Sequence, residues 1–457
     1  MHEADGLAPP QRGWAMVAVS LALMMAVLDG TIANVALPTI ARELRASPAD
    51  TVWVVNAYQL VITVLLLPLA SLGEIVGYRR IYRIGVAVFT LASLGCALAD
   101  SLAMLTLARV VQGIGAAGVM SVNAALVRFI FPRRLLGRGI GTVALVVASS
   151  AAVGPTVAAG ILSVAPWPWL FAVNVPMGIL TLVAARALPR TPRAARGFDY
   201  LSALLNAVFF GLLIAAIDSL GHGGRALTAL VAIAGASAAG VALVLRQLPQ
   251  PSPLLPVDLL RIRQFSLSIA TSVCSFMAQM LAYVAVPFYF QDVLGRGAVA
   301  TGLLMTPWPA AVAVAAPIAG RLADRYKAGV LGALGLATFA AGIALLALLP
   351  AAPADADVVW RMALAGVGFG LFQSPNNRVI LDSAPSERSG GASGMLGTAR
   401  LLGQTTGAAL AALIFGLAGT RATYWALGTA SAIALVAAAV SGTRLIGGDA
   451  QRPARGP

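Results

Sequence analysis

Two charged residues, Asp29 and Arg109, lie within long apolar stretches of the sequence. A carboxylate at mid-membrane depth costs about 2.5–3.5 kcal/mol on insertion scales, so it needs a partner, a path to water or a proton. An α-helix rises about 1.5 Å per residue, and the two stretches run in opposite directions, so both residues lie about 10 Å below the same membrane surface. We expect Asp29 and Arg109 to face each other.

Such a pair could perform proton chemistry. Burial favours the protonated acid, whereas a neighbouring cation favours the carboxylate. Opening and closing the site to water would then switch the affinity of Asp29 for a proton, as a proton-coupled exchanger requires. The alternative is a static buried ion pair that only fixes the packing of two helices.

Further polar residues interrupt the apolar stretches. Arg400 and Gln404 are four residues apart and hence share a helix face; Arg400 could contact a substrate or bond carbonyl groups at the end of a neighbouring helix. Gln279 and Tyr283 have the same spacing and could line a binding pocket or serve only packing. The candidate substrate-binding residues are Asn34, Tyr58, Gln112, Phe276, Gln279, Tyr283, Asn376, Arg400 and Gln404.

The charges inside the apolar stretches limit the substrate class. Asp29 is the only clear carboxylate there, and Arg109 and Arg400 lie inside as well. The interior is therefore not obviously negative. This disfavours dicationic substrates and leaves monocationic, neutral and weakly anionic amphiphiles open.

The elements that must position these residues are membrane-spanning helices. Apolar residues make up 59% of the chain and charged residues 11%, against about 25% charged residues in soluble proteins. Fourteen segments of about 20 apolar residues follow one another along the sequence, and each is long enough to cross a bilayer as a helix. The sequence predicts an all-α polytopic membrane protein with fourteen transmembrane helices.

The distribution of lysine and arginine predicts the orientation. Of the 31 basic residues, 23 lie in tails and loops on the side of the N-terminus, 6 lie in loops on the other side and 2 lie inside segments. Basic residues accumulate in cytoplasmic loops, so both termini are expected in the cytoplasm. This topology also accounts for the net charge of +14 without nucleic-acid binding.

The two halves carry similar loops about 250 residues apart. Glu74, Gly77, Arg79 and Arg80 follow the second segment, and Asp324 and Arg325 follow the tenth. Repeated halves are typical of secondary transporters, in which two bundles rock around a central site. The predicted organisation is a tail over 1–13, a six-helix bundle over 14–190, two inserted helices over 191–250, a second six-helix bundle over 251–443 and a tail over 444–457.

Other chemistries find little support. The run GIGAAG at 113–118 fits a dinucleotide motif, but it lies within an apolar helical stretch instead of opening a helix after a strand. No phosphate-binding G-x-x-x-x-G-K-[ST] motif is present, and no set of residues suits a metal or a nucleophile and its base. We therefore expect no nucleotide, no metal site and no enzymatic activity.

Five motifs in order make the chain resemble the major facilitator superfamily, in particular its fourteen-helix drug:proton antiporter branch. They are LDGTIANVALPTI with Asp29, the loop around Glu74, LARVVQGIGAAG with Arg109, VGPTVAAG with Gly154, Pro155 and Gly160, and WPWLFAVNVPMG with Asn174. The loop departs from the family pattern, since Glu74 stands where the family has Asp.

The resemblance implies a fold of two six-helix bundles plus two inserted helices. It implies that the loops at Glu74, Gly77, Arg79, Arg80, Asp324 and Arg325 gate the inward-facing side. It also implies that the kink at Gly154, Pro155 and Gly160 is associated with antiport rather than symport.

The expected function is proton-coupled export of lipophilic drugs or toxic amphiphiles by alternating access. The expected partners are a small lipophilic substrate, protons and the lipid bilayer of the bacterial inner membrane, with the proton gradient as driving force and no cofactor. Two alternatives stay open: a proton-coupled transporter of a specific metabolite, and a membrane sensor or scaffold that transports nothing.

Overall fold

The computed structural model describes residues 6–195, 197–221, 226–250, 256–385 and 388–444. In these ranges all regular secondary structure is helical. The long helices are α1 Pro9–Glu43, α2 Pro48–Val76, α3 Tyr78–Ala97, α4 Leu102–Ile130, α5 Leu136–Leu162, α6 Trp169–Ala187, α7 Tyr200–Gly221, α8 Ala226–Gln247, α9 Arg263–Val293, α10 Ala298–Leu322, α11 Ala328–Ala347, α12 Asp355–Asp382, α13 Ser389–Ala418 and α14 Ala422–Thr443.

Twelve stretches of the described chain are long and apolar enough to cross a membrane. One of them, Gly391–Thr443, contains both α13 and α14. Helix α12 is not among the twelve: its first two turns carry Asp355, Asp357 and Arg361, and its C-terminal half carries Gln373, Asn376 and Asn377. The protein is thus a multi-pass membrane protein, and α1 begins at Pro9, five residues before the predicted first segment.

The helices pack in the same order in both halves. In the first half α3 packs on α4, α4 on α2 and α1 on α5; in the second half α11 packs on α12, α12 on α10 and α9 on α13. Each pair in the second half lies eight helices after its counterpart. Helices α7 and α8 pack mainly on each other. In the sequence they lie between the six helices of the first half and the six of the second, which we call the first and the second bundle.

Glycines set the spacing within these pairs. A Cβ on Gly85 of α3 would lie 2.9 Å from the carbonyl oxygen of Gly115 in α4, and a Cβ on Gly335 of α11 would lie 2.7 Å from that of Gly368 in α12. Such distances are too short for a side chain, so close helix approach requires glycine there. The GIGAAG run therefore serves helix packing.

Two seams join the bundles. At one, Thr63 of α2 meets Thr405 of α13 with 2.9 Å between hydroxyl oxygens, and α7 covers the seam, with Asn206 Nδ2 donating to Val64 O at 2.8 Å. At the other, Thr156 of α5 meets Thr306 of α10 with 2.8 Å between hydroxyl oxygens. We call the membrane face at which α1 begins and α14 ends the terminal face, and the opposite face the distal face.

Candidate functional site

Asp29 lies at the centre of a buried polar cluster in the first bundle. Its Oδ2 forms a salt bridge with Arg109 Nη1, and both side chains have zero exposure. Its Oδ1 accepts hydrogen bonds from Gln112 Nε2 at 2.8 Å and from Asn174 Nδ2 at 3.0 Å. The carboxylate is thereby matched by one cation and two amide donors, which offset the cost of burying its charge.

Arg109 is held by both polar and aromatic contacts. Its Nε donates to Val54 O at 2.8 Å, and its Nη1 also donates to Gln112 Oε1 at 2.6 Å. The guanidinium lies 4.1 Å from the ring centroid of Tyr58 and 5.5 Å from that of Phe171. Its Nη2 is buried and has no hydrogen-bond partner among the described residues, so the cation keeps one donor available.

Four helices build this cluster. Arg109 and Gln112 are three residues apart on α4 and share a face. Ser93 of α3 accepts from Gln112 Nε2 at 2.9 Å, and Asn174 stands at the break in α6, between Trp169–Ala172 and Asn174–Ala184. A change of charge on Asp29 of α1 would therefore act on the packing of α1, α4 and α6 together.

The candidate substrate-binding residues divide into two groups. In the first group the side chains already have partners: Asn34 Nδ2 donates to Gly30 O at 2.8 Å, and Asn376 Nδ2 donates to Ser272 Oγ at 2.8 Å. Tyr58 donates to Ala26 O at 3.2 Å, and the ring of Tyr283 packs edge-on against Trp308 with centroids 5.5 Å apart. Gln112 belongs to the Asp29 cluster.

The second group comprises Arg400, Gln404, Gln279 and Phe276. The Arg400 guanidinium lies 5.5 Å from the ring centroid of Phe276, and Arg400, Gln404 and Gln279 are half-buried. The structure thus brings Arg400 and Phe276 together across the interface between α13 and α9.

The first candidate gating loop contacts the segment that follows α6. Gly77 has a φ of 108°, a conformation that favours glycine. Ala194 N donates to Glu74 O at 2.8 Å, Tyr78 N to Thr191 Oγ1 at 3.2 Å and Arg79 Nη2 to Arg186 O at 3.0 Å. Arg80 is exposed.

The second candidate gating loop contacts α12. Asp324 pairs with Arg378 at 2.5 Å, and Arg378 also lies 3.4 Å from Asp382. Arg325, on the same loop, is exposed. Arg378 was not predicted as a site residue, because its partner Asp324 is distant in the sequence.

The kink motif in α5 lies between the two bundles. Gly154 is so close to Thr31 of α1 that a Cβ would overlap the threonine hydroxyl. A Cβ on Gly302 of α10 would lie 2.6 Å from the carbonyl oxygen of Pro155. Gly160 has no neighbour within 4 Å of its would-be Cβ, so of these three residues Gly154 and Pro155 take part in the close packing.

A polar latch closes the distal face between α1 and α9. Arg42 Nη2 donates to Gln291 Oε1 at 2.9 Å, and Arg42 Nη1 lies 3.2 Å from Asp292 Oδ1. Gln291 Nε2 donates to Val35 O at 2.9 Å, and Thr39 Oγ1 donates to Gln291 Oε1 at 3.2 Å. Gln291 lies in a π-helical turn, Tyr289–Val293, which the sequence did not reveal.

Ser93 and Asn174 are the members of the Asp29 cluster that sequence analysis did not select as site residues. The sequence does contain an indication for Asn174, since an asparagine side chain is unusual in an otherwise apolar stretch. Ser93 had none, because serine is common in membrane helices and here also donates to Phe89 O of its own helix at 2.8 Å.

The chain is similar in sequence to a known protein family and to several of its members. The model for the Major Facilitator Superfamily matches residues 19–407. The chain is 57% identical over 447 residues to the uncharacterized transporter YebQ of Escherichia coli K12, covering 97% of this chain and 98% of YebQ. It is 34% identical over 401 residues to the multidrug resistance protein Stp of Mycobacterium tuberculosis H37Rv, covering 86% and 74%.

A solved bacterial homologue of the human lysosomal transporter Spinster, in an inward-facing and unoccupied conformation, has the same fold. It matches with a TM-score of 0.69 at 15% identity and covers 96% of this chain and 97% of its own. The chain therefore belongs to the Major Facilitator Superfamily and is a membrane transporter rather than an enzyme.

Proposed function

We propose that this protein is a proton-driven efflux transporter of the fourteen-helix drug:proton antiporter branch. It exports lipophilic compounds across the bacterial inner membrane by alternating access, with both termini in the cytoplasm. All fourteen helices α1–α14 cross the membrane in this proposal. The name of its relative Stp, a multidrug resistance protein, supports the substrate class.

The observation that carries the proposal is the enclosed Asp29 cluster. Among the described residues, Asp29 is the one carboxylate away from helix ends and loops. Protonation would remove the charge that Arg109, Gln112 and Asn174 bind, and would leave a buried arginine without its counter-charge, which is costly. Proton binding is thereby coupled to a rearrangement of α1, α4 and α6.

We infer the conformational state of this structure from the latch. Arg42, Gln291 and Asp292 tie the bundles together at the distal face. In our proposal this is the state closed to the outside, in which substrate enters from the cytoplasm or the inner leaflet. The proton gradient drives the cycle, and no cofactor is needed.

The experiment uses inverted membrane vesicles that hold a proton gradient. A lipophilic dye substrate should dissipate the gradient in vesicles with the wild-type protein, and Asp29→Asn should abolish this dissipation while inserting normally. The matched control is Asp199→Asn, which removes a carboxylate near the start of α7, outside the cluster. Full dye-driven proton flux with Asp29→Asn would refute the proposal. Substrate and proton moving in the same direction would indicate a symporter, and the absence of any flux would indicate a sensor.

A further inference from the structure

Helix α13 presents two packed faces and one face between them. Gly403 and Gly407 approach the backbone of α9, where a Cβ on Gly403 would lie 2.5 Å from Val273 O. Leu401 belongs to one hydrophobic cluster with Met25, Tyr58 and Ile62 of the first bundle. With about 100° between successive residues, Arg400 and Gln404 lie between these faces. They therefore point into the wedge between α9 of the second bundle and α2 of the first.

The wedge lies inside the membrane, next to a seam between the bundles. Arg400 is five residues before Thr405, which meets Thr63 of α2 at that seam. Helix α13 begins at Ser389, so a rise of about 1.5 Å per residue places Arg400 about 16 Å from the terminal end of the helix. A substrate in the wedge would lie between the two bundles.

Arg400 has no counter-charge in the described part of the chain. Within that part it forms no salt bridge and no hydrogen bond, and its guanidinium interacts only with the Phe276 ring. Asp29 is bound to Arg109, and the other described carboxylates lie at helix ends or in loops. The alternative role, bonding to carbonyl groups at a helix end, is not observed.

An unmatched arginine at this depth is expensive, and such residues usually mark a ligand or ion path. The guanidinium is planar, always charged and suited to bidentate binding of a carboxylate. Phe276 is fixed in place by an edge-on contact with Phe369, with centroids 5.4 Å apart. The guanidinium is thus held on a rigid ring and its remaining donors are free.

We propose that Arg400 binds an acidic group of the substrate, so that this transporter prefers lipophilic monoanions that combine an apolar body with one carboxylate. The inference rests on the proposed function and names its substrate class. Gln404, half-buried and one turn from Arg400 on the same face of α13, adds a neutral hydrogen-bonding group. A second positive charge on a substrate would be repelled by Arg400.

The test compares two compounds with the same body, an aromatic monocarboxylate and its methyl ester, in proteoliposomes. The wild-type protein should exchange protons for the acid with an apparent affinity about tenfold or more above that for the ester, because charge-assisted hydrogen bonds discriminate by that order. Arg400→Gln should remove this preference, because it lowers the apparent affinity for the acid and leaves that for the ester unchanged. Arg400→Lys should retain part of the preference. Arg246→Gln, which removes an equal charge from the inserted helices, should leave the preference unchanged.

A charge reversal separates recognition from misfolding. Arg400→Glu should prefer the matching primary amine over the acid, a gain that a damaged protein cannot show. If the wild-type protein exchanges protons for the ester as well as for the acid, or if Arg400→Gln weakens both compounds equally, this inference is wrong while the proposed function stands. If no compound drives proton exchange in the wild-type protein, the proposed function itself is wrong.

Discussion

Gln112 bridges both members of the buried ion pair, since its Nε2 donates to Asp29 Oδ1 at 2.8 Å and its Oε1 accepts from Arg109 Nη1 at 2.6 Å. A single amide thereby fixes the geometry of the carboxylate and the guanidinium together. It also links the pair to Ser93 on α3. The Asp29 cluster is thus a four-helix unit rather than two isolated charges.

Replacing Gln112 by Leu should impair transport, because the Asp29 carboxylate and the Arg109 guanidinium each lose a buried hydrogen bond. The measurement is substrate-driven proton flux in vesicles. Asn206→Leu is the control, because it loses a bond between α7 and Val64 and leaves the cluster intact. Equal flux in the two variants would contradict this prediction.

Neutralising one member of the ion pair should cost more stability than neutralising both. Asp29→Asn or Arg109→Gln leaves one partner without its match, at a cost of about 3–5 kcal/mol for a buried pair. The double variant Asp29→Asn/Arg109→Gln should recover much of that loss. Thermal unfolding in detergent, followed by size-exclusion chromatography, provides the comparison. Additive losses in the double variant would show that the pair is not a coupled unit.

Gly154→Ala should impair transport, since the new Cβ would overlap the Thr31 hydroxyl where α5 meets α1. Adding Thr31→Ala should restore part of the activity, because the clashing oxygen is removed. Gly141→Ala is the control on the same helix, where nothing lies within 4 Å of the added Cβ. The readout is dye export from cells. Failure of the second substitution to restore any activity in a folded protein would contradict the steric explanation.

Loss of the latch should open the distal face. Gln291→Leu removes the amide that joins Arg42, Thr39 and Val35. Each of the three lost hydrogen bonds contributes about 0.5–1.5 kcal/mol, so the population of the distally open state should rise about tenfold or more.

Spin labels at Ser47 and Gly297, both exposed at this face, would report the separation of the bundles. Arg296→Ala is the control, since Arg296 pairs with Asp355 at 2.8 Å within the second bundle. An equal change in both variants, or none in Gln291→Leu, would argue against a latch between bundles.

The sequence could predict what depends on helix periodicity and depth. The apolar segments gave the helices, and the rise per residue placed Asp29 and Arg109 at one level, where the structure brings them into contact. Arg400 and Gln404 were assigned to one face of α13 by the same reasoning. These properties depend on positions within one helix and can therefore be predicted from a single sequence.

Beyond the facing of Asp29 and Arg109, the sequence could not predict which helices become neighbours. Asn174 reaches Asp29 because α6 packs on α1, and Asp324 pairs with Arg378 because α10 packs on α12. Asn376 looked available for substrate, but Ser272 of α9 occupies its amide. The latch at Gln291 depends on a π-helical turn and on contact between bundles, neither of which local spacing encodes.

The central claim is that Asp29 carries the coupled proton, and infrared difference spectroscopy tests it most directly. In purified protein at acidic pH, a protonated carboxyl band assigned to Asp29 by its absence in Asp29→Asn should disappear when substrate is added. If wild-type protein that exchanges protons for substrate shows no ionisation change at Asp29 in any step, the proposed mechanism is wrong.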